Sequence, residues 1–88
     1  MHAVVISVTI NADEAESQQE LREKVVPGVK QAPGFVAGYW VRLEGDKGTS
    51  MVIFESENAA RSAVEQGPEP PEGVTIDSRQ IGEVVASA

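Results

Sequence analysis

Residues 32–54 read APGFVAGYWVRLEGDKGTSMVIF, and the order of the elements turns on them. Two runs rich in β-branched and aromatic residues, 35–44 and 49–55, flank Gly45-Asp46-Lys47-Gly48. Glycine supplies the positive φ that tight connections need, and aspartate is a good turn residue, so the stretch reads as a β-hairpin. Pro33 disfavours the α region for Ala32, and Gly34 lets the chain reverse, so a helix ends immediately before the hairpin. Outward from it, a helical pattern lies on each side, and one more strand lies beyond each helix. The order is βαββαβ. The sequence predicts a single α+β domain over residues 1–88, ferredoxin-like, with a four-stranded antiparallel sheet and both helices on one face.

Residues 3–10 (AVVISVTI) are β-branched almost throughout. Val4, Ile6, Val8 and Ile10 fall on one face and Ala3, Val5, Ser7 and Thr9 on the other, with no charge on either, as in a central strand. Asn11 or Asp13 caps the first predicted helix, and Asp13, Glu14, Glu16 and Glu20 suit its positive N-terminal end. Glu20 and Lys24 are spaced as an i,i+4 pair. Leu21, Val25, Val29 and Ala32 form its apolar stripe. Pro27 removes the hydrogen bond to the Glu23 carbonyl, so a kink is expected there. Along the first hairpin strand, Phe35, Ala37, Tyr39, Val41 and Leu43 share one face, and Val36, Gly38, Trp40, Arg42 and Glu44 the other. Along the second, Met51 and Ile53 oppose Val52 and Phe54.

Ser56 caps the second predicted helix, residues 57–66, whose stripe is Ala59, Ala60, Ala63 and Val64; Gly67 ends it. Glu57 and Arg61 are again an i,i+4 pair. Residues 67–73 (GPEPPEG) form a stiff extended connection. The last strand lies within 74–86, interrupted by Asp77, Ser78, Arg79 and Gln80, with its best-paired part expected at 80–85.

Fourteen acidic residues against seven basic ones give a net charge of −7. This argues against non-specific binding to nucleic acid or to anionic membranes, which requires a cationic surface. No apolar run approaches the roughly 20 residues of a membrane span. No basic segment precedes the first apolar run, so no signal peptide is read and the expected location is cytoplasmic. The chain has no cysteine, hence no disulfide and no thiolate. One terminal histidine, His2, is too little for a tight transition-metal site, and no metal is predicted.

Two helices cover one sheet face, yet residues 3–10, 35–43 and 51–54 carry apolar groups on both. Monomers rarely expose contiguous apolar patches above a few hundred Å². A chain of this size also buries only about 60–65% of its unfolded surface, so its core is small. A second copy packed sheet to sheet about a two-fold axis answers both problems, and a homodimer is predicted.

With βαββαβ order and Pro33-Gly34-Phe35-Val36-Ala37-Gly38-Tyr39-Trp40 after the first helix, the chain resembles the dimeric α/β-barrel superfamily, which includes antibiotic-biosynthesis-monooxygenase-like domains. The resemblance covers most of the chain, and its motif is a structural one, Pro-Gly-aromatic at a helix-to-strand junction. It implies a barrel of two sheets and a ligand site between helices and sheet. Members include cofactor-independent oxygenases, proteins acting on haem and proteins without known activity. Haem-degrading relatives use an Asn, Trp and His constellation. Asn11 and Trp40 are present here, but the second helix has no histidine, which counts against that activity.

The residues themselves leave few chemical groups. His2 reads as a solvated tail residue. Ser7, Ser50 and Ser56 lack a histidine fit to serve them in a hydrolase triad. Glu14 and Glu16, two apart, do not share a helix face. Gly38, Tyr39, Trp40 and Arg42 remain as a candidate pocket, with Arg79 a further cation. Gly38 leaves space above its strand, and an indole beside a guanidinium suits a flat anionic or phenolic molecule. The bland alternative makes Trp40 core or interface, with Arg42 paired to a surface carboxylate. Two functions stay open: a small-molecule-binding or monooxygenase-like protein needing no cofactor if catalytic, and a non-catalytic homodimeric binding or regulatory module.

Overall fold

A computed structural model describes residues 1–11, 19, 21–66 and 73–88. Strand β1 is His2–Ile10, β2 is Phe35–Arg42, β3 is Lys47–Phe54 and β4 is Val74–Glu83. Helix α1 comprises a wide turn, Leu21–Val25, running into a regular one, Val26–Lys30; helix α2 is Glu57–Gln66. The sheet has the order β2-β3-β1-β4, with every neighbouring pair antiparallel. This is the ferredoxin-like arrangement expected from the sequence. Asn11, Glu20 and Lys24 cannot be read as a cap and a pair, because residues 12–18 and 20 lie outside the described residues. The same holds for Gly67 and the Pro68–Pro71 connection.

Register assigns the faces. Val4 pairs with Val52 and Ile6 with Ser50, so the even positions of β1 and β3 share one face. On that face Val4, Val52 and Phe54 form a buried cluster with Ala60 of α2, and Val29, Ala32, Ala59, Ala63 and Val64 pack against it. Val29 and Ala32 of the first predicted stripe and the whole of the second therefore face inward. The opposite face carries Ala3, Val5, Ser7 and Thr9 of β1 with Ile53, Met51, Thr49 and Lys47 of β3.

Two bulges correct the simple alternation. At Val36 the β2–β3 register slips, so Phe35 pairs with Phe54 while Ala37 pairs with Ile53. Phe35 thus joins the helix face with Gly38 and Trp40, not the face of Tyr39 where alternation put it. Its ring meets Phe54 edge-on, with centroids 6.4 Å apart at 81°, a favoured aromatic geometry. At Asp77 the β1–β4 register slips: Ser7 pairs with Ser78 and Val8 with Ile76. The strand pairs along its whole length, beginning well before residue 80. Its polar residues are tolerated because β4 is an edge strand with an exposed face.

Other differences have local causes. Lys47 and Gly48, expected in the hairpin loop, open β3; Gly45 supplies the turn at φ 73°, and the Leu43 N–H donates to the Lys47 carbonyl at 2.9 Å. Helix α1 continues through Pro27, which lies in the first turn of Val26–Lys30. The interruption is taken up by the wide turn upstream, a usual device where the regular ladder loses a donor. Ser56 caps α2 as predicted, its hydroxyl accepting from the Ala59 N–H at 3.1 Å. His2 belongs to β1 and is not a free tail. Its Nε2 lies 3.9 Å from Glu57 Oε2, and its Nδ1 is buried without a hydrogen-bond partner.

Gly34 links α1 to α2. It holds φ 81°, and its carbonyl accepts from the Glu55 N–H at 2.8 Å. A Cβ at this position would lie 2.8 Å from the Ala59 Cβ. Gly34→Ala therefore combines a left-handed backbone with a clash. It should lower stability by about 2 kcal/mol, read as a reduced urea midpoint; an unchanged midpoint would contradict this account of the junction.

Candidate ligand cleft between helices and sheet

The helices do not close fully onto the sheet. A cleft of about 1130 Å³ lies between them. Its floor is the helix face of the sheet, including Val4, Ile6, Val8, Ser50 and Trp40; Val25, Val29 and Ala63 contribute to its roof. The surroundings are mostly apolar, with a few polar groups at the margin, among them Gln31, Asn58 and the guanidinium side chains Arg22, Arg42 and Arg79. This is the usual make-up of a small-molecule site, with a volume somewhat above the common range of about 300–1,000 Å³.

The four residues singled out by sequence are divided by the sheet. Gly38, Trp40 and Arg42 pair with Val52, Ser50 and Gly48, on the helix face. Trp40 and Arg42 line the cleft. Tyr39 pairs with Met51 on the opposite face and is 61% exposed. The space above Gly38 is occupied from within the protein. A Cβ there would lie 2.9 Å from Trp40 Cη2 and 3.0 Å from Cζ3. The glycine thus lets the Trp40 indole lie down on its own strand, beside Phe35.

Ser50 lies in the floor, and Arg79 stands at its β4 edge. Trp40, Ser50, Ile6 and Arg79 are successive register partners across the four strands. From sequence alone Ser50 reads only as a nucleophile without a histidine partner. Its place opposite Trp40 follows from the strand parity of Val52 and Phe54 once hairpin register is known.

A second polar cluster sits on the other face. Thr9 Oγ1 donates to Asp77 Oδ2 at 2.7 Å, and Lys47 Nζ donates to Thr9 Oγ1 at 2.7 Å and lies 3.5 Å from the same carboxylate oxygen. Three strands are joined by it. On α2, Arg61 Nε donates to Glu57 Oε1 at 3.0 Å, and this hydrogen bond and charge hold the Glu57 carboxyl below its usual pKa. Neither cluster borders the cleft. Among the described residues, no group of three or more His, Asp or Glu side chains converges, and no helix is long and apolar enough to cross a membrane.

No model of a known protein family and no curated protein matches the chain. What is established is the ferredoxin-like fold.

Proposed function

We propose that the chain is a homodimeric small-molecule-binding protein of the dimeric α/β-barrel kind, monooxygenase-like in build, taking a small aromatic or phenolic ligand between its helices and sheet. One observation carries this reading: an apolar cleft of about 1130 Å³ beside Trp40 with a few polar groups at its margin. If the protein is an oxygenase, the oxygen chemistry is that of an oxidisable substrate, and the chain supplies binding, orientation and exclusion of water. No cofactor is part of the proposal. A cytoplasmic location belongs to the proposal. The non-catalytic module is favoured by the packing of Trp40 on Gly38, which gives the indole a structural role.

The dimer is supported by the helix-free face. Tyr39, Val41 and Met51 there are 61%, 48% and 45% exposed, and Met51 lies between Tyr39 and Val5 in register. A two-fold sheet-to-sheet contact covers them.

Trp40 is the only tryptophan, so its fluorescence reports on the cleft alone. Titration with 2-naphthol should quench it saturably at one ligand per chain. Ser50→Leu places a bulky group on the floor beside Trp40 and should weaken binding roughly tenfold or more, as displaced apolar contact is worth about 0.8 kcal/mol per methylene. Absence of saturable quenching in the unmodified protein would refute the ligand reading.

A further inference from the structure

The described margin of the cleft carries charge of one sign. Arg22, Arg42 and Arg79 border it, and no Asp or Glu is among the described residues that do, although acidic residues outnumber basic ones fourteen to seven in the chain. The placement of Arg79 is a product of the bulge. Ile76 faces the cleft opposite Val8. Uninterrupted alternation would turn Ser78 and Gln80 inward and Arg79 outward. The extra residue, Asp77, reverses the parity, so Arg79 lies opposite Ile6 and Ile81 opposite Val4. Bulges commonly re-aim a side chain beside a functional site. Asp77 itself is engaged by Thr9 and Lys47 on the other face, so the carboxylate two residues from Arg79 does not neutralise it.

Arg79 therefore stands at the β4 end of a row that begins with Trp40 at the β2 end. Three strand spacings separate the two backbones, roughly 14 Å. Both residues line the cleft, and in register only Ser50 and Ile6 lie between them. An aromatic surface at one end and a planar cation at the other define a ligand with complementary ends.

We propose that the cleft selects a flat aromatic carboxylate, its ring system at the Trp40 end over Ser50 and Ile6 and its carboxylate on Arg79. This rests on the cleft being the ligand site and adds the ligand's charge. A guanidinium meets a carboxylate through two parallel N–H···O bonds, and such pairs are about twice as strong as neutral hydrogen bonds. The net charge of −7 does not oppose it strongly. Charges farther away than about 8 Å are largely screened at physiological ionic strength, whereas Arg79 acts at contact.

The test is calorimetric titration of the full chain with 2-naphthoate and with 2-naphthalenemethanol, its neutral counterpart. The acid should bind at least about tenfold more tightly than the alcohol, the scale of a hydrogen-bonded charge. Arg79→Gln should remove that preference, bringing the acid's affinity down to about that of the alcohol on the same variant. Arg79→Lys, which keeps the charge, should retain part of it. Equal binding of acid and alcohol to the unmodified protein, or a preference untouched by Arg79→Gln, would overturn the assignment of Arg79 while leaving the cleft as the site. Failure of both compounds to bind would overturn the cleft reading, and this inference with it.

Discussion

Phe54→Ala should destabilise the protein by about 3–5 kcal/mol, the usual cost of emptying a buried phenylalanine site. Phe54 is 1% exposed and lies in the cluster with Val4, Val52 and Ala60, with the Phe35 ring edge-on against it. It also stands where β1, β2 and β3 meet in register, opposite both His2 and Phe35. Removing the ring therefore loosens three strands and the seat of α2 together. A domain of this length has a total stability of roughly 4–13 kcal/mol, so the loss is a large share of the whole. Urea unfolding followed by circular dichroism should show a much lower midpoint, or no folded baseline at all. A loss below about 1 kcal/mol would mean that the core is not centred on this residue. The comparison should be made at one protein concentration, because the proposed dimer would make apparent stability concentration-dependent.

Met51→Asp should split the proposed dimer. Met51 is on the helix-free face between Val5 and Tyr39, and being 45% exposed it contributes little to the fold of one chain. A two-fold contact over this face would bring two copies of the new charge into an apolar interface and strip their water. The expected weakening of association is at least a hundredfold, about 3 kcal/mol. Sedimentation equilibrium at micromolar concentration should give twice the 9.4 kDa chain mass for the unmodified protein and the single mass for the variant. Val5→Asp should act in the same direction. Ile6→Asp should instead disturb the cleft, because register puts Ile6 on the helix face opposite Ser50. A single 9.4 kDa species for the unmodified protein would remove the barrel reading. An interface of standard size needs about 800 Å² from each partner, and that surface would then be left in water.

Local signals were legible in the sequence. The hairpin, β1 and the Ser56 cap depend on alternation, turn residues and capping within a few positions, and the structure has all three. The alternate sets of β1 were also readable, although the sequence did not say which set meets the helices. What escaped was non-local. A bulge is a mismatch between two strands, so neither strand shows it alone. The one at Val36 moves Phe35 to the helix face, and the one at Asp77 makes a polar stretch into a paired strand that turns Arg79 inward. His2 looked like a loose end because its pairing with Phe54 and Glu83 spans most of the chain. Gly48 looked like a loop residue. In the sheet its missing side chain makes room for Val8 and Ile10, which would lie 3.2 and 3.3 Å from a Cβ there. In the candidate site, Trp40, Arg42 and Gly38 were placed on one face by alternation alone, and the part played by Ser50 required the register.

A ligand is expected on the helix face of the sheet. An NMR titration of isotope-labelled protein with 2-naphthoate tests it most directly. The single indole N–H of Trp40 and the methyl groups of Val4, Ile6 and Val8 should shift together and saturate at one ligand per chain, while Val5 and Met51 stay still. Shifts confined to Val5, Met51 and Tyr39, or no saturable shift anywhere, would contradict it.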